Sequence, residues 1–110
     1  MPDVPELTPT EFCKRWPAGE WEQVTLLDVR EPAEIEAASV ADTTNIPMME
    51  IPARLQELSR DGVIVIMCHS GGRSRRVAGF LSASGFSRVF NLTGGIDAWS
   101  VEIDPSVPRY

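Results

Sequence analysis

Histidine and tyrosine each occur once in these 110 residues and cysteine only twice, and Lys plus Arg (10) are outnumbered by Asp plus Glu (16). The net charge of −6 leaves no broad basic surface to neutralise phosphates, so nucleic-acid binding is not expected. Long apolar runs are missing too. The longest, Val63 to Met67, is far too short to cross a bilayer, and no apolar run follows a basic N-terminal stretch. A cytoplasmic chain with no membrane partner is therefore expected. Cys13 and Cys68 lie far apart in a sequence without secretory features, which argues against a structural disulfide and leaves a free thiol as the interesting group. Neither a metal nor a cofactor is expected. Repeats, linkers and low-complexity segments are absent, and 43% hydrophobic content suffices for one core, so residues 1–110 are read as one domain.

What is present alternates between two periods. Thr8, Pro9 and Glu11 carry the signature of a capping box, predicting a helix from Pro9 to about Trp16, broken by Pro17 and Gly19. Val24 to Val29 is a continuous apolar run of strand length. Glu31 to Ala38 permits a short helix, Ser39 to Thr44 has no pattern, and Asn45-Ile46-Pro47 reads as a very short strand. Pro52 is expected to open a helix reaching Arg60, with Leu55 and Leu58 on its buried side. Val63 to Met67 is the strongest strand, β-branched almost throughout and without polar alternation, so it should lie at the centre of a parallel sheet. A helix from about Arg73 to Ser84 follows, with Gly85 as a left-handed cap. Then come a strand at Val89–Leu92, a small helix from Ile96 to about Ser100 and an extended tail from Asp104. Strands alternating with helices make this an α/β domain with a mostly parallel sheet covered on both faces.

In such sheets ligands bind beyond the carboxyl ends of the strands, which singles out Cys68-His69-Ser70-Gly71-Gly72-Arg73. The adjacent glycines are expected to let several N–H groups turn inward, and the following helix brings its positive dipole end. The anion such a cradle holds is the sulfur of Cys68, because a helix N-terminus and nearby cations favour thiolate over thiol. Arg73, Arg75 and Arg76 make the turn locally cationic, which should draw anionic substrates to its mouth. The plainer alternative for Cys68 is an inert buried thiol.

Four blocks in order, Leu27-Asp28-Val29-Arg30-Glu31-Pro32, Asn45-Ile46-Pro47, Val65 to Ser74 and Asn91 to Trp99, resemble the single-domain rhodaneses over nearly the whole chain. The resemblance implies a small five-stranded, mostly parallel sheet with helices on both faces. It also implies sulfurtransferase activity, with Cys68 becoming a persulfide. On that footing Cys68 is the catalytic residue. His69, Ser70, Gly71, Gly72 and Arg73 contact the donor, a small sulfur compound such as thiosulfate or a persulfide. The acceptor is cyanide, a thiol or a sulfur-carrier protein. Asp28 and Arg30 support the rim, pairing with each other or with the loop. One block departs from the pattern: Ser39 and Asp42 stand where relatives usually carry His and Gly, which puts the local conformation there in question.

Cysteine phosphatases and arsenate reductases use a related loop, but with five residues between cysteine and arginine. Here four intervene and Ser74 takes the longer-loop position, a ring too tight for a phosphoryl group. A non-catalytic recognition module is the other alternative. Trp99 and Gly94-Gly95 read as packing and turn, and Cys13 as a partly buried helix cysteine.

Overall fold

The computed structural model describes residues 4–110. Thr8 and Glu11 close the capping box their spacing predicts. The Glu11 N–H donates to the Thr8 hydroxyl (3.1 Å) and the Thr8 N–H donates to the Glu11 carboxylate (2.8 Å), opening α1 at Pro9–Arg15. Five strands, β1 (Glu6–Leu7), β2 (Val24–Asp28), β3 (Thr44–Asn45), β4 (Val63–Met67) and β5 (Val89–Leu92), form one parallel sheet in the order β1-β5-β4-β2-β3. The expected five-stranded α/β architecture is thus the one observed. Helices α2 (Pro32–Ala37), α3 (Gly72–Ala83) and α4 (Gly95–Glu102) complete it.

Every residue of β4 is buried, and its side chains alternate between two cores. Val63, Val65 and Met67 join Phe12, Leu26, Ile96 and Trp99 on the side of α1 and α4. Ile64 and Ile66 join Ile51, Val77, Leu81 and Phe86 on the side of α3. Cys68 continues that alternation and enters the α3 core, so the parity of the strand aims its sulfur toward the N-terminal end of α3. After β2 the chain moves outward to β3, and after β4 it moves the other way to β5. The carboxyl ends of β2 and β4 therefore flank the crevice where strand order reverses.

Three expectations change. Pro52 does not open a regular helix: Met48–Glu57 is a 3-10 segment, with Pro52 inside it and Arg54 leaving helical geometry (φ −123°). A proline nitrogen cannot donate to the ladder, and short 3-10 turns tolerate that loss better than an α-helix does. The last helix is longer than read, and the tail does not simply extend but turns back onto the molecule. Val107 is buried in the α1/α4 core and the Ser100 hydroxyl donates to its carbonyl (2.6 Å). Asp42 takes φ +64°, so the left-handed turn is made there by an aspartate, a residue that enters this region more readily than most.

Candidate functional site

Cys68 sits at the end of β4, 1% exposed, and its Sγ accepts the Gly71 N–H at 3.1 Å. Burial pushes this thiol up. The Ser74 hydroxyl, the Ser74 N–H and the Gly71 and Ser70 N–H groups oppose it and bring the thiol below its ordinary range. Ser74 thus belongs to the sulfur's surroundings, although the sequence marks it only by its spacing from Cys68. Its hydroxyl is finely placed, lying 2.5 Å from the Asn91 Oδ1 and 3.2 Å from the Gly71 carbonyl, and it has one proton to give. Asn91 is itself fully buried and donates to Glu6 at 3.1 Å, tying the loop to β1.

The two glycines are not equivalent. Gly71 carries φ +114° and caps α3, a conformation that resists any side chain, whereas Gly72 already begins the helix and faces open space. The inward curl therefore belongs to Gly71 alone. Ser70 and Gly72 are exposed, and half-buried His69 stacks on Tyr110 with ring centroids 4.2 Å apart and planes 13° from parallel.

Asp28 and Arg30 are both fully buried behind this loop and pair with each other at 2.7 Å. All five guanidinium N–H groups of Arg30 are engaged. Nε donates to Asp28 Oδ1 (3.0 Å), Nη2 to Asp28 Oδ2 (2.7 Å) and the Ala38 carbonyl (2.9 Å), and Nη1 to the Glu34 carbonyl (3.1 Å) and the Tyr110 hydroxyl (2.8 Å). Arg30 is consequently saturated by the protein and organises the rim rather than receiving a ligand. Arg73 is also paired, its Nη1 and Nη2 holding the two Glu34 oxygens at 2.6 and 2.8 Å. Arg75 pairs with Glu6 (3.1 Å). The cationic mouth expected from the sequence is therefore largely neutralised by carboxylates that the fold brings in from distant segments.

The loop is also held from outside. Gly94 (φ +78°) and Gly95 (φ +58°) turn β5 into α4, whose first N–H groups donate to the loop: Ile96 to the Cys68 carbonyl (2.9 Å) and Asp97 to the His69 carbonyl (3.1 Å). A side-chain carbon at Gly95 would collide with both carbonyls. Cys13 lies half-buried against the α1/α4 core, where burial pushes its thiol up, on the face of the sheet opposite to that of Cys68.

A family model described as the rhodanese-like domain matches residues 9–102. The chain belongs to the rhodanese-like domain family. A sulfurtransferase of Allochromatium vinosum is 44% identical over 79 residues, spanning 72% of this chain and 74% of that protein. A chloroplastic rhodanese-like/PpiC domain-containing protein of Arabidopsis thaliana is 40% identical over 93 residues, which is 81% of this chain but 31% of the relative's length. Among solved structures, a rhodanese-related protein of Thermoplasma volcanium superposes with a TM-score of 0.81 at 30% identity, covering 97% of this chain and 100% of that one. This rhodanese-like chain thus corresponds to the whole of some relatives and to one segment of others.

Proposed function

We propose that this protein is a sulfurtransferase that carries sulfane sulfur as a persulfide on Cys68. The observation that carries this reading is a buried cysteine at the head of a helix whose sulfur accepts the Gly71 N–H (3.1 Å), with the Ser74, Gly71 and Ser70 donors around it favouring thiolate over thiol. An inert core thiol has no such donors and goes the other way, as Cys13 does.

With thiosulfate, the Cys68 thiolate attacks the outer sulfur. A new S–S bond forms, the bond between the outer sulfur and the sulfonate sulfur breaks, and sulfite leaves with the bonding pair, giving Cys68–S–S⁻. The negative charge then resides on the terminal sulfur. The inward N–H groups that favour the thiolate are suited to stabilising that persulfide anion, so no general base is required. An acceptor thiolate or cyanide next takes the terminal sulfur and restores the Cys68 thiolate. His69, stacked on Tyr110, flanks this path without being needed as a base. The relative from Allochromatium vinosum, a sulfurtransferase by name, supports sulfur transfer as the reaction class.

The test is intact-mass analysis after incubation with thiosulfate and with glutathione persulfide. The wild type gains one sulfur that a thiol or cyanide then removes, and Cys68→Ser gains none. Failure of the wild type to gain sulfur from either donor, or sulfur transfer to cyanide that survives the substitution, refutes the proposal.

A further inference from the structure

Arg73 is the guanidinium beside the Cys68 mouth, and one N–H of each of its terminal nitrogens is engaged by the same carboxylate. Glu34 takes them in a two-pronged fork at 2.6 and 2.8 Å, the geometry a sulfonate would use. The carboxylate is fastened on its other sides. The Glu31 N–H donates to Oε1 (3.1 Å), and the Tyr110 hydroxyl donates to Oε2 (2.9 Å) while accepting from the saturated, fully buried Arg30 (2.8 Å). Tyr110 in turn lies flat on His69, and its segment is fixed by the Arg109–Asp97 ion pair (2.8 Å) and by the burial of Val107. The pair is only partly solvent-exposed, Arg73 at 32% and Glu34 at 22%, so solvent screens it incompletely.

We infer that Glu34, clamped by Tyr110, determines donor specificity: its carboxylate occupies the Arg73 fork and so disfavours sulfonate-bearing donors such as thiosulfate relative to persulfides carried on a thiol. The inference rests on the sulfurtransferase reading. Thiosulfate brings two negative charges to a cation already neutralised, and must either displace Glu34 or bind without the fork. A persulfide R–S–SH needs no such partner. The Cys68 thiolate attacks its outer sulfur, the inner S–S bond breaks, R–S⁻ leaves, and Cys68–S–SH forms with the proton still on the outer sulfur. Arg73 held by Glu34 does not hinder that step. Glu34 stays ionised through any practical assay range, because the Arg73 guanidinium, foremost, holds its carboxyl down to about 2 despite burial.

Two substitutions test this. Glu34→Gln keeps a neutral acceptor for the Glu31 N–H and removes the competing charge, and Tyr110→Phe removes only the hydroxyl that steadies the carboxylate. The expected result is a fall in KM for thiosulfate, with the ratio of kcat/KM for thiosulfate to that for glutathione persulfide rising about ten-fold in E34Q. Y110F should rise by a smaller factor. An unchanged ratio in E34Q, or a higher KM for thiosulfate, overturns the inference. A second readout needs no sulfur transfer: the rate of Cys68 alkylation by anionic iodoacetate relative to neutral iodoacetamide, which should rise by a similar factor in E34Q. An unchanged alkylation ratio also overturns the clamp. Absence of persulfide in the wild type with both donors would instead refute the proposed function, and the alkylation ratio would still decide the role of Glu34.

Discussion

The Ser74 hydroxyl has one proton and more than one acceptor within reach. It sits 2.5 Å from Asn91 Oδ1, yet it is also the strongest of the groups that oppose the effect of burial on the sulfur. Because a hydroxyl donates one proton, favouring the thiolate requires it to turn from Asn91 toward Sγ as charge appears there. Removing it should raise the Cys68 pKa by about one unit, the worth of one hydrogen bond to a charged group. The sign follows directly: below the pKa the thiolate fraction falls about ten-fold, while well above it nothing changes. The pH profile of iodoacetamide alkylation in Ser74→Ala should therefore shift to higher pH with its plateau intact. A profile that does not move would mean that the Ser74 hydroxyl keeps donating to Asn91 Oδ1. The placement of Cys68 was legible because an all-apolar strand and the glycine turn after it can be read from one short stretch. That of Ser74 was legible only as a number in a spacing, since its partner Asn91 is 17 residues away.

Elements were readable where local chemistry decides them. The α1 capping box and the all-apolar β4 are of that kind, and both appear as predicted. By contrast β1 is two residues long and exists because β5 pairs with it, the Asn91 N–H donating to Pro5 and the Thr93 N–H to Leu7. Nothing in Glu6-Leu7 alone specifies a strand. The same limit hid the work of α4, whose Gly94-Gly95 opening read as a simple turn. Its N-terminal N–H groups in fact hold the backbone carbonyls of Cys68 and His69, so this short helix sets the position of the Cys68 loop. Gly95→Ala should break that seam, combining a left-handed backbone with a clash into two carbonyls, at a cost of about 2–3 kcal/mol in unfolding experiments. Persulfide formation should fall along with stability. A variant of unaltered stability would show that the loop holds its shape without α4.

Across the whole molecule, the fold redistributes charge in a way composition alone could not show. The arginines of the loop promised a positive mouth in an acidic protein, but Glu34 and Glu6 come from the first third of the chain to pair with Arg73 and Arg75. Long-range steering of an anionic donor should accordingly be weak. Thiosulfate turnover is expected to change less than about two-fold in kcat/KM between roughly 0.05 and 0.5 M salt, a range over which a bare cationic cluster would lose most of its reach. A steep decline would mean that the pairing does not quench the field. Fold class and the position of the Cys68 turn at the strand ends were thus legible, because both follow from periodicity and local turn chemistry. Of the rim, the Asp28–Arg30 pair was legible, since the two lie side by side at one strand end, whereas Glu34 and Tyr110 were not, because they meet only once the tail has folded back to bring Tyr110 onto a residue 76 positions earlier in the chain.

The placement of the two cysteines on opposite faces of the sheet acquires a kinetic meaning if Cys68 carries sulfur. The sheet acts as an insulator: the second thiol, raised in pKa and set in the other core, is in no position to close an internal disulfide and expel the cargo. Sulfur loaded onto Cys68 leaves only when another molecule comes for it, so the lifetime of the charged form is set by encounter with an acceptor and not by the chain itself.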